Sequence, residues 1–175
     1  IPANNLLTAD TSGNISFKIR GRIIERPPAN RWIPVPGDAA HGWDGLTAVP
    51  HDDLHHWRNP DRGFLVTANN RDSDDGPYIS LDFAGPSRHN RIVELLGGLE
   101  SATAADMTRV HADVRSLAAP PICTIIAGLS PTTDLGRAAQ ELVSAWNHEV
   151  GPDSSAGGVY APFRQAGAGG GEHRP

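Results

Sequence analysis

The chain is poor in several residue types, and each scarcity excludes a class of protein. Cys123 is the only cysteine among 175 residues, which excludes an intrachain disulfide framework and a multi-cysteine metal site. The longest apolar stretch, residues 122–129, is interrupted by Thr124 and Gly128, so the sequence contains no run long enough for a membrane-spanning helix. Lys18 is the single lysine beside fourteen arginines, the net charge is −5, and no basic run occurs. This balance disfavours nucleic acid and a membrane surface as partners.

The first third of the chain is predicted to form strands and turns. Apolar and polar residues alternate over residues 15–20, and a glycine-containing turn joins this segment to residues 5–9, which predicts a β-hairpin. Residues 26–59 are rich in proline, glycine and tryptophan, which predicts a long, ordered loop without helices, anchored by Trp32, Trp43 and Trp57. The apolar run 64–68 is predicted to form a further strand, which places Asn69 at its end.

Helical periodicity begins after residue 86. Apolar residues recur at helical spacing over residues 92–99. Thr103 and Asp106 form a capping box before a second helix, whose apolar face runs from Met107 to Leu117. A third helix is predicted over residues 134–146, and its apolar stripe consists of Leu135, Ala138, Ala139, Leu142 and Trp146. Strands followed by helices favour an α+β fold over a parallel βαβ sheet. The glycine-rich end, residues 167–175, is predicted to be a disordered tail.

A cluster of histidines and aspartates occupies residues 51–56. His51, His55 and His56 are candidate zinc ligands, because His51 and His55 would share one face of a helix. Pro50 and Pro60 leave little room for such a helix. We therefore favour a solvated loop, and a small zinc hydrolase is the least favoured class of function.

Three other features have structural interpretations. Cys123 lies in an apolar segment, where burial raises the pKa of a thiol, so it is predicted to be structural. His111 falls on the apolar face of the second helix and is predicted to be a hydrogen-bonded core residue. Residues 167–171 are rich in glycine, but they lack the preceding strand and the following helix and lysine of a phosphate-binding loop.

Asn69 offers a different chemistry. An asparagine at the end of a buried strand can aim its side-chain N–H at a developing oxyanion, which is the role of rigid donors in acyl transfer. The structural alternative is an asparagine-containing turn, and local sequence alone favours that alternative.

An ordered set of short motifs spread over residues 4–160 resembles the penicillin acylase family of N-terminal nucleophile hydrolases, in the middle of that family's large β-subunit. No single motif is decisive, but their order and spacing together are specific. The motifs are residues 5–16, 21–26, 34–37, 43–45, 59–64, 67–71, 88–92 and 106–114.

The resemblance implies part of a four-layer αββα fold, with antiparallel sheets between helical layers. It implies an amidohydrolase that cleaves linear amide bonds of N-acylated substrates through the N-terminal serine of the β-subunit, which its own α-amino group activates. Asn69 matches the asparagine that completes the oxyanion hole. Arg88 matches the arginine that orients the surroundings of the nucleophile, and a surface charge at a helix N-terminus is its alternative. Position 1 is Ile1, so the nucleophile is expected outside this chain, and the chain alone is expected to be inactive.

The resemblance also sets expectations for domains and partners. Residues 1–166 are predicted to be a partial β-subunit, with the α-subunit and the remainder of the β-subunit as partners and an N-acyl amide, such as a penicillin or an acyl-homoserine lactone, as substrate. A periplasmic or secreted location is expected from the family. The alternative from another class is a non-catalytic binding module that keeps the scaffold. Missing partner segments would leave apolar surface exposed.

No cofactor is expected to take part in the chemistry. Family members often bind a structural calcium ion, and Asp72, Asp74 and Asp75 are candidate oxygen ligands, with solvated turn residues as the alternative.

Overall fold

The computed structural model describes residues 4–26, 31, 33–42 and 47–169. The chain folds as two compact units, residues 1–89 and 90–175. Within the described ranges, the first unit contains a small antiparallel sheet and the second is helical, which agrees with the predicted α+β class. No described helix is long and apolar enough to cross a bilayer.

The sheet of the first unit has the strand order β1-β2-β3, and both pairings are antiparallel. Strand β1 (Asn4–Ala9) pairs with β2 (Ile15–Arg20), which confirms the predicted hairpin. A third strand, β3 (His56–Arg58), pairs with the other edge of β2 and was not predicted. A strand of three residues is too short to show an alternating pattern, so only its partner identifies it.

The hairpin turn is stabilised by its own polar groups. The Asp10 carboxylate accepts hydrogen bonds from the backbone N–H groups of Ser12 and Asn14 at 2.9 and 3.0 Å. These bonds and the amide of the Asn14 side chain lower the pKa of Asp10. Gly13 has φ +83°, a conformation that glycine adopts without steric cost.

The core of the first unit combines β2 with residues from the loops. Phe17 and Ile19 are buried on one face of β2, as their alternation predicted, and they cluster with Ile23, Val49 and Leu54. Trp57 lies against Phe17, with ring centroids 5.2 Å apart, as expected of a loop anchor. The two other predicted anchors, Trp32 and Trp43, lie outside the described residues.

The strand predicted over residues 64–68 is wrong, because these residues join no ladder. Leu65 packs against the core of the first unit, and Asn70 makes an isolated parallel bridge with Ala84. An apolar run predicts burial, but strand pairing also needs a neighbouring strand, which the local sequence does not specify.

Five helices occupy the chain from residue 87 to residue 169. Three were predicted from their periodicity, and the Thr103–Asp106 capping box is present at the start of the second. The second helix ends at Ala112, so the apolar spacing that continues to Leu117 does not extend it. The helices are α1 (Ser87–Gly97), α2 (Ala104–Ala112), α3 (Ala119–Ala127), α4 (Asp134–Ser144) and α5 (Ser155–Gly169).

The sequence did not predict α3 and α5, because both contain helix-breaking residues. The Pro120–Pro121 pair lies in the first turn of α3, where the missing N–H of proline leaves no hydrogen bond unmade. Helix α5 contains Pro162 and several glycines, and it continues through residues 167–169 of the predicted tail. The rest of that tail, residues 170–175, lies outside the described residues.

Helices α3, α4 and α5 enclose the core of the second unit. Cys123 is buried there and burial raises the pKa of its thiol, which confirms it as a structural residue. The apolar stripe predicted for α4 is wrong at Leu135 and Leu142, which are 82% and 46% exposed, and the buried residue of this helix is Val143, outside that stripe. His111 is exposed, so its prediction as a core residue is wrong. The buried cluster consists of Ala119, Cys123, Ile126, Val143 and Tyr160.

A charged pair joins α1 to the end of α2. The Arg91 guanidinium donates two hydrogen bonds to the Asp113 carboxylate, at 2.9 and 2.6 Å. Both side chains are mostly buried, and these bonds lower the pKa of Asp113. The pair therefore fixes the C-terminal end of α2 against α1.

Candidate active site

The first unit contains a cleft of about 700 Å³ that includes one of the two predicted site residues. Its described lining carries no cationic side chain, so amide and hydroxyl groups are the neutral hydrogen-bond donors available to a bound group. Its neutral polar side chains include Asn5, Thr67, Asn69, Asn70 and Ser80.

Asn69 lies at the edge of this cleft in a left-handed backbone conformation, with φ +57°. Asparagine tolerates this conformation better than most residues with a Cβ. The Asn69 carbonyl accepts a hydrogen bond of 2.7 Å from the Ala84 N–H, while its side chain is exposed and bonds to no described residue. Both N–H groups of the Asn69 amide are therefore available to a ligand in the cleft.

Arg88 lies in the first turn of α1 and reaches back to the segment that carries Asn69. Its Nη2 donates a hydrogen bond of 2.7 Å to the carbonyl of Ala68, the residue before Asn69. The structure thus brings the two predicted site residues together through the backbone. Arg88 is not among the described residues that line the cleft, so it acts on the backbone of the segment.

Asn70, which the sequence reasoning overlooked, uses its side chain within the same segment. Its Oδ1 accepts a hydrogen bond from the Ala68 N–H at 3.2 Å, and its Nδ2 donates to the Arg71 carbonyl at 2.9 Å. The two adjacent asparagines therefore differ, since among the described residues the amide of Asn70 has hydrogen-bond partners and the amide of Asn69 has none. A pair of asparagines after an apolar run was the available signal, but it does not reveal which amide is engaged.

The hydroxyl groups of the cleft are occupied by neighbouring groups. Thr67 Oγ1 accepts a hydrogen bond from the side chain of Asn5, and Ser80 Oγ accepts one from the Asp82 N–H at 2.9 Å. No histidine or lysine is among the described residues that line the cleft. Neither hydroxyl is hydrogen-bonded to a described histidine, lysine or carboxylate side chain that could activate it as a nucleophile.

The three aspartates considered as calcium ligands are not arranged around a common point. Asp72 faces His55, with Oδ1 to Nδ1 at 3.1 Å, and Asp74 is paired with Arg71 at 2.8 Å. Asp75 contributes its backbone carbonyl to His55. In the described part of the chain, no group of three or more His, Cys, Asp or Glu side chains is placed to hold a metal ion.

The candidate zinc histidines are also separated in their roles. His51 is exposed, His55 is engaged with the 72–75 loop, and His56 Nδ1 contacts the Leu54 carbonyl at 3.0 Å. These residues do not form a ligand set, so the zinc interpretation gains no support from their geometry.

Sequence comparisons identify similar proteins along most of the chain. A family model described as penicillin amidase matches residues 1–169. The penicillin acylase 2 proenzyme of Pseudomonas sp. (strain SE83) is 34% identical over 171 residues, which cover 93% of this chain and 21% of the relative. The acyl-homoserine lactone acylase QuiP of Pseudomonas aeruginosa is 31% identical over 118 residues, which cover 65% of this chain and 13% of the relative.

The fold is also similar to that of a solved structure, the thermostable penicillin G acylase from Alcaligenes faecalis. The TM-score is 0.57 at 22% identity, and the match covers 83% of this chain and 27% of the other. The chain therefore spans about a fifth of the length of the penicillin acylase 2 proenzyme and about a quarter of the chain in the solved structure.

Proposed function

The chain belongs to the penicillin amidase family, and on that premise we propose that it is a section of the β-subunit of an acylase that cleaves linear amide bonds of N-acylated substrates. The α-subunit and the rest of the β-subunit complete a four-layer αββα fold around it. The coverage of the relatives supports this proposal, because a fifth of the penicillin acylase 2 proenzyme accounts for nearly the whole of this chain.

The nucleophile in this proposal is the N-terminal serine of the β-subunit, outside these 175 residues. Its α-amino group takes the proton from the hydroxyl as the oxygen attacks the amide carbon and forms a tetrahedral intermediate. The C–N bond of the intermediate then breaks, and the amine leaves with that proton. Water hydrolyses the remaining acyl-enzyme, which releases the acid and restores the serine hydroxyl. The contacts of the Thr67 and Ser80 hydroxyls support this assignment, because neither hydroxyl is hydrogen-bonded to a described side chain that could act as its base. No cofactor takes part in these steps.

Asn69 donates its side-chain N–H to the oxyanion of the tetrahedral intermediate. The observation that carries this role is the free amide of Asn69, held in the cleft by a fixed backbone. A donor that is already oriented needs no reorganisation when the charge develops, which makes it effective in the transition state.

Arg88 organises the site from behind the cleft. Its guanidinium is permanently charged, and it holds the Ala68 carbonyl at 2.7 Å, next to the residue that donates to the oxyanion. Arg88 is thus a positioning residue in this scheme.

Kinetics of the complete acylase that contains this chain test the role of Asn69. Asn69→Gly accommodates φ +57° and removes only the side-chain donor, so kcat should fall about a hundredfold or more while the melting temperature stays close to that of the parent. Asn147→Ala is the control, since Asn147 makes local bonds to Glu149 in the second unit. A near-normal kcat for Asn69→Gly would remove Asn69 from the mechanism.

The isolated chain tests the location of the nucleophile. It should hydrolyse no N-acyl amide, and substantial turnover by the 175 residues alone would place the nucleophile within them. A complete protein that is folded but hydrolyses neither a penicillin nor an acyl-homoserine lactone would favour the non-catalytic module.

An acyl-homoserine lactone is the second candidate substrate class, because the relative from P. aeruginosa is named as an acylase of these compounds. The values of kcat/KM for a penicillin and for an N-acyl-homoserine lactone, measured on one preparation of the complete enzyme, decide between the two. Asn69→Gly should lower both values by a similar factor, since both substrates form the same oxyanion.

A further inference from the structure

We propose that Asn70 is a positioning residue that holds Asn69 in the conformation from which it donates to the oxyanion. The inference rests on the proposed function of Asn69 and adds a residue to it. Asn70 itself touches neither the oxyanion nor the substrate in this scheme.

The Asn70 side chain forms hydrogen bonds with the backbone on both sides of the asparagine pair. Its Oδ1 accepts from the Ala68 N–H on one side, and its Nδ2 donates to the Arg71 carbonyl on the other. The bond to the Ala68 N–H spans Asn69, so rotation of the Asn69 backbone out of the left-handed region would displace that bond, while the bond to the Arg71 carbonyl fixes the Asn70 side chain.

The backbone conformation of Asn69 needs stabilising contacts, because a residue with a Cβ does not prefer the left-handed region. Arg88 fixes the Ala68 carbonyl and the Ala84 N–H fixes the Asn69 carbonyl. Those two contacts hold carbonyl groups, whereas Asn70 holds the Ala68 N–H. Arg88 and Ala84 thus hold the two peptide groups that flank the Asn69 Cα, and Asn70 holds the peptide group before Ala68, so that three successive peptide groups are fixed.

The side-chain amides of Asn69 and Asn70 differ in their hydrogen bonding, and this difference separates their roles. Asn69 lines the cleft and its amide bonds to no described residue, which leaves the amide available as a donor to a ligand. The Asn70 amide is engaged at both its oxygen and its nitrogen, although Asn70 also lines the cleft. A group that already bonds to the backbone at both ends is suited to hold a conformation.

A double-mutant cycle in the complete acylase tests the proposal. Asn70→Ala should lower kcat about tenfold or more, because a small displacement of a catalytic donor is costly, while KM changes little. In the Asn69→Gly background the same substitution should change kcat by no more than about twofold, since the donor that it positions is gone. Asn147→Ala serves again as the control.

The possible outcomes separate this inference from the proposed function. If Asn69→Gly alone keeps a near-normal kcat, both fail. If Asn69→Gly loses activity, the role of Asn69 stands whatever Asn70→Ala does. In that case Asn70 is not a positioning residue if Asn70→Ala keeps a normal kcat or raises only KM. The same conclusion follows if the two losses of kcat multiply in the double variant.

A second variant covers the case in which Asn70→Ala does not fold. Asn70→Asp keeps an oxygen for the Ala68 N–H and loses the donor to the Arg71 carbonyl. Asn70→Asp is measured alone and together with Asn69→Gly. If it lowers kcat in the parent enzyme but not in the Asn69→Gly variant, the proposal is supported. If the two reductions of kcat multiply in the double variant, the proposal is overturned.

Discussion

In the first unit, residues 1–89, a cluster of five buried apolar residues and several side-chain hydrogen bonds to the backbone hold a largely irregular chain. In the second, residues 90–175, packed helices enclose the core and cap their own ends. The candidate site lies in the irregular unit. An irregular backbone can present a side chain from a left-handed residue such as Asn69, which the interior of a helix does not permit.

The largest expected effect on stability tests how strongly the first unit depends on its small core. Leu54 is 1% exposed, so Leu54→Ala should lower the free energy of unfolding by about 2–5 kcal/mol. Urea denaturation of the chain, followed by hydrogen exchange in residues 1–89, measures the loss.

The exposed Leu135 of α4 supplies the matched control, since Leu135→Ala should change the unfolding free energy by less than about 0.5 kcal/mol. Equal losses for the two leucines would show that the burial pattern described for the two units is wrong.

A glycine-to-alanine substitution should have a smaller effect on stability, and its sign should differ between the turn of the first unit and a helix of the second. Gly13→Ala should destabilise the chain by about 1 kcal/mol, because Gly13 has φ +83° in the hairpin turn. Gly158→Ala should stabilise it by about 0.5–1 kcal/mol, because Gly158 lies within α5 and an added Cβ meets open space. Thermal unfolding of both variants checks the signs, and a shared sign would contradict the contrast.

The helical unit was the more predictable of the two. The apolar spacing before Leu99 and the Thr103–Asp106 capping box are local signals, and α1 and α2 begin close to where those signals indicate. Helix α3 escaped prediction because the same Pro120–Pro121 pair fits either a break or a first turn. Leu135 was predicted to lie on a buried face and is exposed, because periodicity predicts which residues share a face, whereas packing alone decides which face is buried.

The candidate site was predicted by residue identity and not by geometry. The resemblance pointed to Asn69 and Arg88, and no local pattern indicates that Arg88 bonds to the carbonyl before Asn69, twenty residues away. The left-handed conformation of Asn69 depends on its contact with Ala84, and the hydrogen bonds of the Asn70 side chain depend on its contact with Arg71. A strand predicted over residues 64–68 would have given Asn69 a different backbone.

The central claim is that the Asn69 amide donates to the oxyanion. A crystal structure of the complete enzyme with a tetrahedral transition-state analogue bound to its nucleophile tests it most directly. The account predicts that Asn69 Nδ2 lies about 2.7–3.1 Å from the analogue's oxyanion, with φ of Asn69 still positive. An oxyanion held entirely by other donors, with the Asn69 amide turned away from it, would contradict the account.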